Sequence, residues 1–140
     1  MADELFVREC HEHEAEAVLE VWRQADSTVS PTDTIEDIQR AINWSGASVL
    51  VAESRGRLVG TVIGTFDGWR GNIYRLAVLP DFRRRGVAHK LVAEAEKRMA
   101  ELCTRRITAL VEKDHPWATG YWDAAGYEEH HLMARYFRDL

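Results

Sequence analysis

The sequence predicts an α/β (α+β) fold: a mixed, mostly antiparallel twisted sheet of six to seven strands, flanked by about four helices, with one parallel β-α-β crossover. Three observations carry that expectation. From Asn72 to Cys103 the chain reads as a strand, a tight basic loop and a long amphipathic helix, with a short strand after it. Before this run, two β-branched stretches meet at Arg55-Gly56, the spacing of a hairpin. Earlier still, two stretches place apolar residues at helical intervals.

In chain order, Leu5 to Arg8 is an apolar-rich first strand. Glu14 to Ala25 is a helix, with Val18, Val21, Trp22 and Ala25 on one face, and Asp26-Ser27-Thr28 breaks it. Ser30-Pro31-Thr32-Asp33 is a helix-start cluster, where Asp33 with Glu36, or Thr34 with Asp37, can cap a second helix striped by Ile35, Ile38 and Ile42. Ser45-Gly46 closes that helix. Ser48 to Glu53 and Arg57 to Phe66 are the hairpin strands; Gly60 and Gly64 in the second imply a bulge or a close backbone approach. Asp67 to Gly71 turns the chain into the strand Ile73 to Leu79, ended by Pro80-Asp81. The next helix carries Val87, Leu91, Val92, Ala95, Met99 and Leu102 on one face, with Glu94, Lys97, Arg98 and Glu101 elsewhere. Ile107 to Val111 follows as a strand, and strand-helix-strand implies a right-handed parallel crossover. Asp114-His115-Pro116 starts a last helix, Gly126 stops it, and Tyr127 to Tyr136 is a strand expected to close the sheet.

At 140 residues the chain suits a single domain, 1–140, with one core. With 46% hydrophobic and 29% charged residues it has the composition of a folded chain, not a disordered one. No apolar run is long enough for a bilayer, and MADELFVREC has acids where a signal peptide needs basic and then apolar residues, so a cytoplasmic protein is expected. A formal charge of −5 argues against general attraction to nucleic acid or anionic membrane. Cys10 and Cys103 read as small apolar core or surface residues, not as a disulfide. His11 and His13 share a face only on a strand and have no evident third ligand; a solvated connection, and no metal, is expected.

The loop Arg83-Arg84-Arg85-Gly86-Val87-Ala88 stands out on this acidic background. Three arginines before a helix are unfavourable, because the first turn already exposes N–H groups and partial positive charge. A bound phosphate reverses the sign, since N–H groups and guanidiniums then converge on negative charge. Gly86 and Ala88 leave the backbone accessible. The Gly-Lys-Ser/Thr ending of a Walker A loop is missing, and so are the three glycines of the dinucleotide fingerprint.

At these residues the chain resembles the GCN5-related N-acetyltransferase (GNAT) superfamily, whose Arg/Gln-x-x-Gly-x-Gly/Ala signature is met by Arg83, Gly86 and Ala88 behind Leu76-Ala77-Val78-Leu79-Pro80. The stretch VGTVIGTFDGWRG, Val59 to Gly71, is similar to a branch of small bacterial members. A downstream family motif, Asn-x-x-Ala-x-x-x-Tyr-x-x-x-Gly-Phe, is met in frame by His115, Ala118, Trp122, Gly126 and Tyr127. The resemblance spans essentially the whole chain and implies a GNAT-type fold. It also implies transfer of an acetyl group from acetyl-CoA to an amine acceptor, with no metal.

By the same resemblance Leu76, Ala77 and Val78 hold the pantetheine arm through main-chain bonds, and the Val78 N–H polarises the thioester carbonyl. Backbone N–H groups from Arg84 to Ala88, Val87 included, bind the pyrophosphate, with arginine side chains from Arg83, Arg84 and Arg85 adding charge. His115 stands where an asparagine often bonds the pantetheine, and can donate similarly or act as an acid or base. Trp122 replaces the tyrosine that protonates the departing thiolate in many members, and an indole N–H cannot do this. Tyr121 or Tyr127 can substitute, or Trp122 packs beside the pantetheine while solvent supplies the proton. A frequent site of the general-base glutamate is Asn72 here, which leaves Glu112 and Asp67 as candidates; an acceptor of low pKa needs none. The helices at 14–25 and 35–42 are implied to flank the acceptor, which can be a small amine, a polyamine, an amino acid, an antibiotic or a protein amine. A homodimer is possible. The competing readings are a non-catalytic acyl-CoA-binding or regulatory module, a solvated basic loop with no ligand, and nucleic-acid binding.

Overall fold

The computed structural model describes residues 4–140, which form two compact units meeting in sequence between Leu110 and Val111. The first unit holds strands β1 (Leu5–Glu9), β2 (Ala47–Ser54), β3 (Arg57–Phe66), β4 (Gly71–Val78) and β5 (Ile107–Ala109), with helices α1 (Ala15–Gln24), α2 (Ile35–Ile42) and α3 (Val87–Glu101). The second holds α4 (Pro116–Ala124). The strands lie in sequence order in one five-stranded sheet; β1 to β4 are antiparallel and β5 joins β4 in parallel.

Local chemistry accounts for most boundaries. Arg55 (φ 51) and Gly56 (φ 76) are both left-handed, as a two-residue hairpin turn requires. Of the two possible caps of α2, Thr34 takes the position: its Oγ1 accepts the Asp37 N–H at 3.0 Å and donates to Asp37 Oδ2 at 2.8 Å. Asp33 turns elsewhere, to Ser30 and Arg75.

Helices α1 and α3 cover opposite faces of the sheet. Gly60 and Thr61 are neighbours on β3 and therefore face opposite sides. Gly60 faces Val87 and Leu91 of α3, whereas the Thr61 hydroxyl accepts a hydrogen bond from Trp22 of α1. Leu50, Val59, Val62, Ile73 and Leu91 are fully buried in the resulting core. Both features expected of the β3 glycines occur. A β-bulge adds Val59 opposite Ala52/Glu53, and α3 approaches so closely that a Cβ on Gly60 would sit 2.9 Å from Val87 Cγ1.

Two expectations are corrected. The sheet has five strands, not six or seven, and Tyr127–Tyr136 forms no strand among the described residues. Its tyrosine, leucine and methionine content expresses propensity, but a strand exists only where a ladder partner accepts it, and Glu128-Glu129-His130-His131 cannot lie on a buried face. Leu132, Met133, Tyr136 and Phe137 are exposed accordingly. The crossover strand is also shorter than expected, ending at Ala109. Cys10 is buried and Cys103 exposed, and both thiols are free. His11 precedes a short 3₁₀ turn, Glu12–Glu14, that contains His13.

Candidate functional site

Three pieces of the first unit converge at the C-terminal end of β4. The first is the sheet itself. The β4–β5 ladder covers Gly71–Ile73 and Ile107–Ala109, continues in the bond from Leu110 N–H to Ile73 C=O (3.1 Å), and stops. Within residues 4–110, β4 from Tyr74 to Val78 has no strand on that side. The second is the direction of the Val78 peptide groups. Gly60 opposes Val78 while the Leu79 N–H bonds Val59 C=O at 2.9 Å, which makes Gly60–Val78 a non-hydrogen-bonded pair. The N–H and C=O of Val78 therefore point away from β3, into the opening. Leu76 is half-buried, and Ala77 and Val78 are buried.

The third is the basic loop. A 3₁₀ turn, Pro80–Phe82, follows the strand; Arg84 (φ 61) and Gly86 (φ 80) are left-handed and coil the chain into the N-terminus of α3. Gly86 is the N-cap and makes no side-chain bond there; its C=O starts the helix ladder by accepting the Lys90 N–H at 3.0 Å. Val87 is buried and Ala88 half-buried, and a coil of this kind before a first helical turn is an anion-binding concavity. Left-handed φ is what makes glycine suited to position 86.

The three arginines differ in use. Arg84 and Arg85 are exposed, and the Arg85 guanidinium lies over the Phe82 ring at 5.1 Å. Arg83 turns inward: its Nε donates to Val78 C=O at 3.1 Å and its Nη2 to Ala25 C=O at 3.4 Å. It ties the loop to the end of β4 and to the end of α1, a role invisible in a run of identical residues. A cavity of about 300 Å³ lined by Gln24, Arg57, Leu79, Pro80, Asp81 and Phe82 opens beside this loop, not at the β4–β5 opening.

In the second unit, two sequence candidates come together. His115 Nε2 lies 3.2 Å from Glu112 Oε2, and the His115 N–H bonds Glu112 C=O at 3.2 Å. His115 is also the N-cap of α4, with Pro116 at the first helical position. Trp122 is buried, with Tyr121 and Tyr127 edge-on to it at 5.3 and 4.6 Å between centroids. Tyr121 itself is half-buried. Asp67 and Asn72 lie at the other end of the sheet: β4 begins at Gly71, so Val78 is roughly 20 Å further along a strand rising about 3.3 Å per residue. Asp67 Oδ1 accepts the Trp69 and Arg70 N–H groups, each at 2.8 Å. Those bonds, the Arg70 one foremost, lower its pKa and make it a poor base.

The profile of the acetyltransferase (GNAT) family matches residues 8–127. The chain belongs to this family. An acetyltransferase of Pectobacterium atrosepticum is 35% identical over 122 residues, 87% of this chain and 86% of that protein. Among solved structures, the aminoglycoside N-acetyltransferase AAC(6')-Iy in complex with CoA superposes with a TM-score of 0.82 at 17% identity, covering 99% of this chain and 97% of its own. The PaiA N-acetyltransferase of Thermoplasma acidophilum in complex with coenzyme A gives 0.78 at 16% identity, covering 87% and 88%. At those identities the structures attest the fold, and the GNAT assignment rests on the family match and the curated relative. The open β4 edge and the coiled loop before α3 carry Leu76–Val78 and Arg83–Ala88, the stretches on which the sequence resemblance rests.

Proposed function

We propose that this GNAT protein, acting as one domain over residues 1–140, moves an acetyl group from acetyl-CoA to a primary amine. The observation that carries the reading is the Val78 N–H, turned into the β4–β5 opening next to a coiled basic loop at a helix N-terminus. A thioester carbonyl at Val78 would find an oxyanion donor there. Leu76 and Ala77 would flank the pantetheine, and the first turn of α3, from Gly86 through Val87 and Ala88, would meet the pyrophosphate, with Arg84 and Arg85 adding charge and Arg83 holding the loop.

In the reaction the amine nitrogen attacks the thioester carbon, the N–C bond forms and the C–S bond breaks. One proton leaves the nitrogen and one reaches the CoA sulfur. Glu112 and His115 are the pair proposed to handle the first: an Nε2–H donated to Glu112 leaves Nδ1 as the accepting nitrogen. Tyr121 is proposed for the second, since Trp122 has no transferable proton. The acceptor is an amine of a small molecule or protein, and the protein is placed in the cytoplasm. A homodimer belongs to the proposal, supported by exposed Leu132, Met133, Tyr136 and Phe137.

Calorimetric titration with acetyl-CoA, on wild type and Gly86→Glu, tests the reading. A Cβ on Gly86 would meet nothing within 4 Å but would sit at φ 80, a backbone strain of about 1–3 kcal/mol, so circular dichroism first checks that the variant, with its carboxylate at the phosphate cradle, is folded. Binding lost in the variant, with thiol release when amines are added, supports the enzyme. Binding without turnover of any amine points to the regulatory module, which Trp122 at the tyrosine position favours. No binding by folded wild type refutes both.

A further inference from the structure

We propose that Arg75 is a positioning residue for acyl transfer: it sets the direction of the Val78 N–H and couples that direction to the loop between α1 and α2. The inference rests on the function proposed above. It begins from a backbone outlier. Arg75 has φ 55, in the left-handed region that L side chains avoid, inside a strand.

The outlier has a consequence in the ladder. The Gly71 N–H bonds Arg106 C=O, and Ile73 C=O accepts the Leu110 N–H, so at the start of β4 the odd-numbered residues face β5. Strict alternation would then turn Val78 toward β3. The register shift between Thr61 and Ile63 sets Arg75 and Leu76 together against Val62, and after this bulge the phase is reversed. Val78 faces the opening because Arg75 is bulged.

A closed set of contacts holds the bulge. Arg75 C=O accepts the Thr61 hydroxyl at 3.1 Å, and Thr61 Oγ1 accepts the Trp22 Nε1–H at 2.9 Å. The Arg75 guanidinium returns over the face of the same tryptophan, 4.7 Å from its centroid. Its Nη2 donates to Asp33 Oδ1 at 2.8 Å and to Ser30 Oγ at 3.2 Å. Ser30 and Asp33 are themselves joined, by Ser30 N–H to Oδ2 (3.2 Å) and Ser30 Oγ to Oδ1 (3.0 Å). The Arg75–Asp33 pair is largely covered, with side-chain exposures of 19% and 15%, and Nη1 is buried with no hydrogen-bond partner among the described residues. A left-handed backbone and an unsatisfied buried N–H on one residue are two local costs borne together. The arginine makes the loop that follows α1 and the peptide one residue before Leu76 a single mechanical unit, so movement at Ser30–Asp33 is felt at Val78.

The test compares Asp33→Asn, which loosens the pair from the loop side, with Arg75→Gln and Arg75→Lys. In amide hydrogen exchange of the full chain, Asp33→Asn is expected to speed exchange at the Ser30 and Asp33 amides and at Ala77, which pairs with Thr61, together, by about tenfold. Acetyl-CoA affinity by calorimetry stays within about twofold, since the phosphate cradle is untouched, while kcat for an amine falls about 10- to 100-fold in Asp33→Asn and Arg75→Gln. Arg75→Lys recovers part of that loss, and the double variant is no worse than the poorer single one. Faster exchange confined to the loop, no change in either segment, or acetyl-CoA binding weakened as much as kcat overturns the proposal. If wild type acetylates no amine, the proposed function fails, and the exchange data still decide whether the coupling exists.

Discussion

Gly60→Ala is the substitution in which packing and ligand binding are most directly linked. Its Cβ would lie 2.9 Å from Val87 Cγ1, 3.0 Å from Leu91 Cδ1 and 3.2 Å from Ala77 O, where carbon contacts relax to about 3.5–4.0 Å. Leu91 is fully buried and Val87 is a stiff β-branched residue, so neither moves aside cheaply. Relief comes from lifting the N-terminal turns of α3 off β3. Overpacking of this kind costs about 1–3 kcal/mol, and restricting the unfolded chain returns about 0.4–1, a net loss of about 1–2 kcal/mol. At about 2.1 cal/mol/K per residue for 140 residues, that lowers Tm by roughly 3–7 °C. Gly64→Ala is the control: its Cβ would lie 3.3 Å from Ala95 Cβ and 3.6 Å from the flexible Met99 tip, near the middle of α3. It should be neutral within about 0.5 kcal/mol. Because α3 begins at Val87, Gly60→Ala should also weaken acetyl-CoA binding, by about 3- to 10-fold, and Gly64→Ala should not. Thermal unfolding followed by circular dichroism, with calorimetry of acetyl-CoA, reads both. A Gly60→Ala protein as stable as wild type, or a Gly64→Ala protein that loses more, would refute the argument.

Burial, first, and the nearby Glu14 carboxylate push the Cys10 thiol up to about 11, while Cys103 is exposed. At pH 8 a thiol reagent should label one cysteine in the native protein and two in denaturant; two fast native equivalents would contradict that burial. The Arg8 side chain, with the His11 N–H assisting, holds Glu14 at about 2 against an ordinary value near 4.5. A depressed carboxylate pKa stabilises the fold above the unfolded value, so this contribution is complete above about pH 4.5 and lost as pH falls toward about 2. Glu14→Gln should flatten stability in that window by on the order of 1 kcal/mol, because solvent screens the pair; an unaltered acid profile in urea titrations would rule this out. Thr61→Val keeps the shape but orphans the Trp22 Nε1–H and the Arg75 C=O, and should cost about 1–3 kcal/mol in urea unfolding. A loss too small to measure there would mean that those two groups find other partners.

What could be read from the chain alone was local. Arg55-Gly56 named its hairpin because only left-handed residues close a two-residue turn, and β3 has the bounds its β-branched run suggested. Thr34 with Asp37 was one of two visible caps, and the arginines, Gly86 and Ala88 marked the loop before α3 that is proposed to bind an anion, because a helix start repels cations that nothing neutralises. Tertiary structure decided the rest. Whether Tyr127–Tyr136 becomes a strand depends on a ladder partner, which composition does not encode. Arg83 looks like its two neighbours until the end of β4 and the end of α1 arrive to accept its N–H groups. The direction of the Val78 N–H depends on a bulge at Arg75, which is held by Trp22, Ser30, Asp33 and Thr61 from two other stretches of chain. Periodicity and turn chemistry act over a few residues, whereas the phase of a strand is settled by contacts among residues more than ten positions apart, and no local pattern records them.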